Sequence, residues 1–312
     1  MKKVFIDGSA GTTGLRIRSR LEGRCDIELC VLSEELRKDV GARRAALNAA
    51  DIVFLCLPDD AAREAVGMIE NPATVVIDTS TAHRTREGWE YGFPELEGRR
   101  ERIAAAKRIA NPGCHASGMI ALIEPLVKKG LIKKSAALSV FSLTGYSGGG
   151  KKMIADYESA ATPLHQGGRL YGLNQGHKHL PEMVKVCGLE GAPVFCPIIV
   201  PSYSGMETMI PLFGKDVAGT MEDVKKVYQE YYCGPGVVKY VEDPAAAEGG
   251  KLSSAALSTR DDMEVTVTGT DERMVLVARF DNLGKGASGA AIQNMNIVLG
   301  VDERTGLITK ED

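Results

Sequence analysis

The chain has 312 residues and a mass of 33.4 kDa, which predicts one large domain or two modest ones. Apolar residues make up 44% of the chain and charged residues 25%, the composition of a globular protein and not of a disordered or fibrous one. The net charge of −3 argues against a nucleic-acid partner, and no apolar run reaches the roughly 20 residues that span a membrane.

The first third of the chain predicts strands and helices in alternation. Short apolar runs predict the strands, and apolar residues three to four apart predict the helices between them. The strands are expected at 3–7, 27–32, 51–57 and 74–78, and the helices from 15, over 34–48 and over 61–69. Nearly continuous apolar strands joined by helices are typical of a parallel sheet covered on both faces. We therefore expect a Rossmann-type dinucleotide-binding domain over residues 1–112.

A glycine-rich turn follows the first expected strand. Gly8, Gly11 and Gly14 stand three apart and lead into a helix, with Thr12 and Thr13 between them. Glycine lets the backbone approach a pyrophosphate closely, and a helix N-terminus presents N–H groups to the anion. The spacing differs from the commoner G-x-G-x-x-G, and a plain tight turn is the alternative. The position in the chain favours dinucleotide binding.

The end of the second strand is expected to contact the adenosine ribose. A carboxylate there favours NAD, whereas a small polar residue beside a cation favours NADP. The sequence has Ser33 with Arg37 and Lys38 nearby, but also Glu34 and Glu35. The residues alone therefore leave the cofactor open, and a solvated helix start is the third interpretation.

Beyond residue 113 the pattern changes to that of an α+β domain with a mixed sheet, expected over 113–283. A helix is expected at 119–127 and a surface loop at 243–250. Two strands, 263–269 and 274–281, carry a hairpin signal between them. Further strands are expected at 137–144, 195–200 and 209–213, and a final helix at 289–299.

One of the seven cysteines occupies a special position. Cys114 follows Asn-Pro-Gly at the expected start of a helix, where the dipole lowers the pKa of a thiol. A buried apolar cysteine is the alternative, and Cys56 within an apolar strand is the contrasting inert case. The odd number of cysteines, with no Cys-x-x-Cys pair, predicts reduced thiols in the cytoplasm and argues against a metal site.

Two of the five histidines lie within three residues of each other. His177 and His179 precede Leu-Pro and then Glu182, whose carboxylate could orient an imidazole ring. An imidazole that exchanges protons with a thiol is one interpretation. Zinc binding and a solvated loop are the others, although no further ligand cluster supports zinc.

A loop over 144–152 suits an anionic substrate. Three successive glycines expose backbone N–H groups, and Lys151 and Lys152 add positive charge. The glycine spacing is not that of a Walker loop, and a flexible linker is the alternative. The stretch 281–296 is rich in small residues that permit close packing, although an ordinary turn and helix would have the same composition.

Together these segments resemble the shorter form of the N-acetyl-gamma-glutamyl-phosphate reductase family, in the aspartate-semialdehyde-dehydrogenase-like superfamily. The resemblance runs over nearly the whole chain. Its carriers are 5–14, 56–61, 78–84, 91–95, 111–114, 145–152, 177–182 and 281–296. After the cysteine the family usually has an aromatic residue, so His115 leaves open which histidine neighbours the thiol.

The resemblance implies a reaction and a set of residue roles. Cys114 would attack N-acetyl-L-glutamyl 5-phosphate, a thioester would form as phosphate leaves, and NADPH would reduce it to N-acetyl-L-glutamate 5-semialdehyde, a step of arginine biosynthesis. We expect His179 to be the proton donor, with His177 second and Glu182 as their partner. The cofactor is expected to contact Gly8, Gly11, Thr12, Thr13, Gly14, Ser33, Ser80, Gly148 and Asn294, and the substrate Arg84, Ser147, Lys151 and Lys152.

The resemblance also implies a homodimer or homotetramer in the cytoplasm, with no membrane partner, and a C-terminal segment, 284–312, that completes the dinucleotide-binding domain. An aspartate-semialdehyde-dehydrogenase-like enzyme is the first alternative, against which the Asn-Pro-Gly-Cys turn and the 177–182 segment speak. A dinucleotide-sensing redox regulator is the second, and it would need neither that segment nor the anion loop. The substrate could also carry a carrier-protein-linked amine in place of the N-acetyl group.

Overall fold

The computed structural model describes residues 1–310, and its chain divides into two compact units. Unit 1 comprises residues 1–94, 98–112 and 287–307. Unit 2 comprises residues 95–97, 113–286 and 308–310.

The expected boundaries and this division differ at three places, because 95–97, 284–286 and 308–310 belong to unit 2. Local bonds explain the difference. The Glu95 carboxylate accepts a hydrogen bond from the Lys285 ammonium at 2.7 Å, and both side chains are buried. The backbone N–H of Ile308 donates to the Asp261 carboxylate at 2.9 Å.

Unit 1 is built on a six-stranded sheet in the order β2-β1-β3-β4-β6-β5, with every pair parallel. Its strands are β1 (Lys2–Asp7), β2 (Ile27–Cys30), β3 (Ile52–Leu55), β4 (Val75–Asp78), β5 (Glu90–Tyr91) and β6 (Arg108–Ala110). Its helices are α1 (Thr12–Leu21), α2 (Val40–Ala49), α3 (Asp59–Gly67), α4 (Arg99–Ala105) and α9 (Gly289–Leu299).

Both faces of this sheet are buried, as the apolar strands predict. Val4 and Ile6 of β1 pack on one face in a cluster that includes Ile17 of α1 and Ile292 of α9. Phe5 points to the other face, into the cluster that α2 and α3 cover. Because all strands are parallel, the turns after β1, β3 and β4 lie at one edge of the sheet, where doubly wound folds bind their ligands.

Unit 2 contains a seven-stranded mixed sheet in the order β11-β12-β13-β10-β7-β9-β8. Its strands are β7 (Ser139–Gly145), β8 (Arg169–Leu170), β9 (Val194–Val200), β10 (Met206–Phe213), β11 (Val238–Tyr240), β12 (Met263–Gly269) and β13 (Arg273–Phe280). Its helices are α5 (Cys114–Lys128), α6 (Gly150–Glu158), α7 (Leu180–Cys187) and α8 (Met221–Tyr231).

The central helix α5 packs against β10 and β13, on one face of this sheet. Glycine permits the close contact: a Cβ atom at Gly118 would lie 2.2 Å from the Thr208 hydroxyl oxygen of β10. The opposite face keeps apolar side chains partly exposed, among them Phe141, Val194 and Phe213.

Most of the expected elements are confirmed, including the β12–β13 hairpin and α9, and two are corrected. Helix α2 begins at Val40 and not at 34, because the Asp39 side chain caps it by accepting the Ala42 N–H at 2.7 Å. The expected loop at 243–250 contains a short 3-10 turn, Pro244–Glu248. None of the helices within residues 1–310 is long and apolar enough to cross a membrane.

Candidate active site

The cysteine expected to be the nucleophile stands at the first position of α5. Gly113 precedes it in extended backbone, and Cys114 is half-buried. The helix N-terminus presents N–H groups and a positive dipole end to the sulfur, which favours the thiolate. A Cβ atom at Gly286 would lie 2.9 Å from the Cys114 Cβ, so only glycine fits beside the nucleophile. Cys56 is the inert contrast, because burial raises the pKa of its thiol to about 12.

Glu182 supports the turn that carries Cys114. It lies in the first turn of α7 and is 1% exposed. Its Oε2 accepts the backbone N–H of Gly113 at 3.1 Å. A buried N–H group is costly without an acceptor, so this carboxylate fixes the position of the turn before the nucleophile. This backbone contact was not expected from the sequence, and the ring-orienting role remains a prediction.

Three histidines lie side by side next to Cys114. The ring of His179 is 5.7 Å from that of His115, and 4.7 Å from that of His177. His179 is buried, and its backbone N–H donates to Nδ1 of His177 at 3.1 Å. That Nδ1 atom therefore carries no proton. Phe195 closes the cluster with its ring 5.1 Å from that of His177.

His115 is excluded as a proton carrier by its surroundings. Its Nδ1 lies 2.7 Å from the Ser142 hydroxyl and its Nε2 lies 2.7 Å from the Tyr171 hydroxyl, so both ring nitrogens are engaged. Burial is the main cause that lowers the pKa of His115 to about 3. His115 is therefore neutral near pH 7, and His179 and His177 remain the candidates for the acid.

The expected anion loop is a 3-10 turn, Tyr146–Gly149, followed by α6. Lys151 and Lys152 are exposed in the first turn of α6, and Gly148 is also exposed. Ser147 is 1% exposed, and its hydroxyl accepts the Asn282 amide at 3.0 Å. This bond ties the loop to Asn282 from inside, and the substrate contact expected of Ser147 remains a prediction.

Arg84 and Ser80 follow β4 in unit 1, and both are engaged within that unit. The Arg84 guanidinium donates to the backbone carbonyls of Asn111 at 2.9 Å and Thr79 at 3.0 Å. The buried Ser80 hydroxyl donates to Asp78 at 2.8 Å. These bonds stabilise the turn after β4 and the strand end before Cys114. The ligand contacts expected of both residues remain predictions.

The glycine turn fits a bound dinucleotide. Gly8 has φ +87°, and a Cβ atom there would lie 2.3 Å from the carbonyl oxygen of Cys56. A Cβ atom at Gly14 would lie 2.4 Å from the Gly8 carbonyl oxygen. The bare turn therefore leads directly into α1, whose first turn contains Thr12 and Thr13. Gly11, the residue before α1, has room for a side chain in this structure, and its contact with the cofactor remains a prediction.

A cavity of about 270 Å³ adjoins the glycine turn, and its walls are cationic. Arg37, Lys38 and Arg43 line it, and the Arg43 charge is balanced by Asp7 at 2.9 Å. Of the two glutamates that follow Ser33, Glu34 pairs with Arg37, and the Ser33 hydroxyl lowers the pKa of the exposed Glu35 by hydrogen bonding. Ser33 itself does not line the cavity.

Asn294 of α9 is fully buried in unit 1. Its amide donates to the carbonyl of Gly92 at 2.9 Å and to the side-chain oxygen of Asn111 at 3.3 Å. Its own Oδ1 is buried and has no hydrogen-bond partner within residues 1–310. An unused buried acceptor is costly, and a carboxamide N–H of a bound nicotinamide would satisfy it. The expected cofactor contact of Asn294 is consistent with this atom.

Two side chains, one in each unit, escaped the sequence analysis. Tyr171 lies beside the histidine cluster, but nothing in its local sequence distinguishes it. His83 is buried in unit 1, stacked on Trp89 at 4.0 Å, with its Nδ1 2.6 Å from Asp78. In the sequence, the five-residue spacing of Asp78 and His83 was the feature that could have indicated this contact. Within residues 1–310, no three His, Cys, Asp or Glu side chains are grouped to hold a metal ion.

Two family models match the chain. A model described as semialdehyde dehydrogenase, NAD binding domain, covers residues 3–106. A second, described as semialdehyde dehydrogenase, dimerisation domain, covers residues 114–282.

Curated relatives match over nearly their full length. The chain is 44% identical to N-acetyl-gamma-glutamyl-phosphate reductase 2 of a Nostoc species, over 98% of this chain and 99% of that protein. It is 45% identical to N-acetyl-gamma-glutamyl-phosphate reductase of Rhizobium meliloti, over 95% of this chain and 98% of that protein.

Solved structures share the fold at low identity. Aspartate semialdehyde dehydrogenase II of Vibrio cholerae superposes with a TM-score of 0.72 at 15% identity, over 96% of this chain and 98% of that one. Aspartate semialdehyde dehydrogenase of Candida albicans, solved with NADP, superposes with a TM-score of 0.67 at 16% identity, over 98% and 99%. These likenesses establish the α/β architecture with a parallel and a mixed sheet.

Proposed function

This chain belongs to the family of N-acetyl-gamma-glutamyl-phosphate reductases, and from that premise we propose how its residues carry out the reaction. The reaction is the NADPH-dependent reduction of N-acetyl-L-glutamyl 5-phosphate to N-acetyl-L-glutamate 5-semialdehyde, with release of phosphate. The observation that carries the residue assignment is Cys114 at the start of α5, with Glu182 on the turn before it and two histidines beside it.

Cys114 is the nucleophile. Its thiolate adds to the acyl carbon, the carbon–phosphate oxygen bond breaks, and a thioester remains on the enzyme. The start of α5 favours the thiolate, and the absence of a side chain at Gly286 keeps space at the sulfur. NADPH, when bound, supplies the hydride that reduces the thioester.

His179 is the proton donor for the collapse of the reduced thioester to aldehyde and thiol. Its burial beside His115 and His177 holds the ring in a fixed place, and His115 is neutral and engaged on both nitrogens. His177 supports it by accepting its backbone N–H. Glu182 accepts the Gly113 N–H and so fixes the turn before the nucleophile. His179 and Glu182 therefore both act from the start of α7.

The dinucleotide is held in unit 1. Gly8, Gly11 and Gly14 form the turn against which its pyrophosphate lies, at the N-terminus of α1. Lys38 and Arg37 line the adjoining cavity and suit a 2′-phosphate. Asn294 offers its Oδ1 to the nicotinamide carboxamide. Gly148, with Lys151 and Lys152 of unit 2, is the remaining candidate for contact with phosphate groups.

The protein assembles through the exposed face of the unit 2 sheet, with a homodimer as the smallest form and a homotetramer as the alternative. Phe141, Val194 and Phe213 on that face are 38%, 57% and 60% exposed. Apolar patches of this kind mark interfaces in proteins. The dimerisation-domain model covers all three residues. Light scattering should give a dimer or tetramer that Phe141→Arg dissociates, and a monomeric wild type would refute the proposal.

We place the reaction in the cytoplasm. All seven cysteines lie within residues 1–310, and none of them forms a disulfide there. A reducing compartment is where such thiols persist.

One assay in the reverse direction tests the function. Phosphate-dependent reduction of NADP should proceed with N-acetylglutamate semialdehyde and fail with aspartate semialdehyde. Faster turnover of aspartate semialdehyde would assign the chain to the other branch of the superfamily. A strong preference for a semialdehyde linked to a carrier protein would keep the chemistry and change the substrate.

A further inference from the structure

A continuous row of four hydrogen-bonding side chains leads from the interior of unit 2 to the nucleophile. Thr208 on β10 lies 3.1 Å from Ser142 on β7, measured between hydroxyl oxygens. Ser142 lies 2.7 Å from Nδ1 of His115, and Nε2 of His115 lies 2.7 Å from the hydroxyl of Tyr171. His115 directly follows Cys114, and the ring of Tyr171 lies 5.7 Å from that of His177, so the row ends in the histidine cluster that adjoins the nucleophile.

The buried end of the row fixes its direction. Thr208 is 0% exposed, and within residues 1–310 its hydroxyl has the Ser142 hydroxyl as its one hydrogen-bond partner. If Ser142 donated to Thr208, the hydrogen of the Thr208 hydroxyl would have no acceptor. Leaving a buried donor unsatisfied costs about 1–3 kcal/mol. Thr208 therefore donates to Ser142, and Ser142 donates onward to His115.

Because His115 is neutral, the direction of the hydrogen bond at its Nδ1 also determines the direction of the hydrogen bond at its Nε2. Burial keeps the imidazole neutral, because the pKa is lowered to about 3. A neutral imidazole has one donor nitrogen and one acceptor nitrogen. Since Nδ1 accepts from Ser142, Nε2 carries the proton and donates to the oxygen of Tyr171.

The hydrogen of the Tyr171 hydroxyl is consequently not used inside the row. Burial and the negative charge of the Cys114 thiolate both raise the pKa of Tyr171, so the hydroxyl keeps its proton while the nucleophile is ionised. The ring of Tyr171 lies 5.7 Å from that of His177, so its hydroxyl belongs to the histidine cluster that adjoins Cys114. Tyr171 is thus a donor at the histidine cluster beside the nucleophile, and the hydrogen bond from His115 fixes the orientation of its hydroxyl.

We propose that Tyr171 is a further catalytic residue, whose hydroxyl donates a hydrogen bond to the acyl oxygen of the substrate as Cys114 adds to the acyl carbon. In that addition the carbon–sulfur bond forms and an electron pair moves onto the acyl oxygen, which returns it when phosphate leaves. A donor fixed toward developing negative charge stabilises the transition state more than the ground state. Thr208 and Ser142 are positioning residues, because they act through His115. The inference rests on the covalent mechanism proposed above.

The tautomer of His115 tests the direction of the row without any assay of activity. In the full-length protein with ¹⁵N-labelled histidine, nitrogen chemical shifts report which ring nitrogen is protonated, and His115→Gln identifies the signals. We expect a neutral ring with the proton on Nε2 from pH 5 to pH 8. A proton on Nδ1, or an imidazolium in this range, would overturn the proposal.

Kinetics test the role of the hydroxyl. Removing one such donor lowers kcat by about 10²–10³-fold in acyl transfer, so Tyr171→Phe should lose at least about 10²-fold in kcat with little change in KM. Tyr240→Phe is the matched control, because its hydroxyl bonds Glu242 at 2.6 Å on the surface. A rise in KM at full kcat would show ground-state binding only and refute the proposal.

Thr208→Val separates orientation from packing. This nearly isosteric change removes the buried donor, so Ser142 loses the bond that sets its direction and kcat should fall severalfold. In the Tyr171→Phe background the same change should have no effect, because no hydroxyl remains to be oriented. Equal effects in both backgrounds would show a packing role. Retained activity of Cys114→Ser in these assays would refute the covalent mechanism itself. Normal turnover by Tyr171→Phe, with Cys114→Ser inactive, would refute only the role of Tyr171.

Discussion

The carboxylate of Glu182 accepts the backbone N–H of Gly113 at 3.1 Å, which ties the first turn of α7 to the residue before the nucleophile. The bond is made by an acidic side chain that is almost completely buried. Its purpose is therefore geometric: it fixes the end of the turn from which α5 and the Cys114 side chain start.

Glu182→Gln and Glu182→Ala should differ in effect. Glutamine keeps an oxygen that accepts the Gly113 N–H, whereas alanine leaves that buried donor without a partner. We expect Glu182→Ala to lower kcat by about 10²-fold, the effect of a small misplacement of a reacting group, and Glu182→Gln to retain most activity. Steady-state kinetics with thermal unfolding as a control would measure both. Equal losses would show that the negative charge is needed, and not the acceptor.

His179→Asn should slow the chemical step and leave NADPH binding unchanged. Proton transfer by a positioned imidazole contributes about 10²–10⁴-fold, so kcat should fall by that factor while the Kd of NADPH stays the same. His177→Asn is the matched comparison, and a smaller loss is expected because His177 acts through the backbone of His179. Near-normal activity of His179→Asn beside an inactive His177→Asn would transfer the proton-donor role to His177.

The fold could be predicted where apolar periodicity decides it. The apolar stretches 4–6, 52–55 and 75–77 of β1, β3 and β4 are buried, and α9 was expected at its observed bounds. The short elements β5 and β8 were missed, because two residues carry no periodicity. Local pattern cannot reveal such strands, since their pairing partners are distant in sequence.

The site was predictable where a residue type and a turn coincide. Cys114 could be singled out because Pro-Gly precedes it, and it stands at the expected helix start. Tyr171 was not, because its partner His115 lies 56 positions away and only the paired strands bring them together. The burial of Ser147 could not be read from the glycine-rich loop, because its hydrogen-bond partner Asn282 lies 135 positions away.

The cofactor preference should follow the cationic cavity of unit 1. We expect kcat/KM with NADPH to exceed kcat/KM with NADH. Lys38 lines the cavity, so Lys38→Ser should remove one charge-assisted contact to the 2′-phosphate. This loss should reduce kcat/KM with NADPH about tenfold and leave kcat/KM with NADH unchanged. Lys107→Ser is a control outside this cavity. Equal or better turnover with NADH would show that Glu34 or Glu35 binds a ribose hydroxyl instead.

Acid should destabilise the fold partly through His115. Its pKa falls from 6.5 to about 3 on folding, so between these values the unfolded chain binds a proton that the folded chain does not. The free energy of unfolding therefore decreases as the pH falls from about 6.5 toward 3. In urea titrations at several pH values, His115→Gln should show a shallower decrease than the wild type over this window. An unchanged slope would mean that His115 is protonated in the folded protein.

Alkylation of the cysteines should single out Cys114. A thiol at a helix N-terminus is substantially ionised near neutral pH, and the thiolate is the form that reacts with iodoacetamide. Cys25 and Cys233 are more exposed and serve as internal controls, whereas buried Cys187, whose pKa is raised by burial, should react last. We expect peptide mapping after brief labelling to show Cys114 modified first, in step with the loss of activity, and substrate to slow the reaction by covering the sulfur.

Cys114→Ser should keep the fold and bind NADPH but lose nearly all turnover, because a serine hydroxyl stays protonated. Labelling of Cys25 or Cys233 ahead of Cys114, with activity intact, would contradict the covalent mechanism.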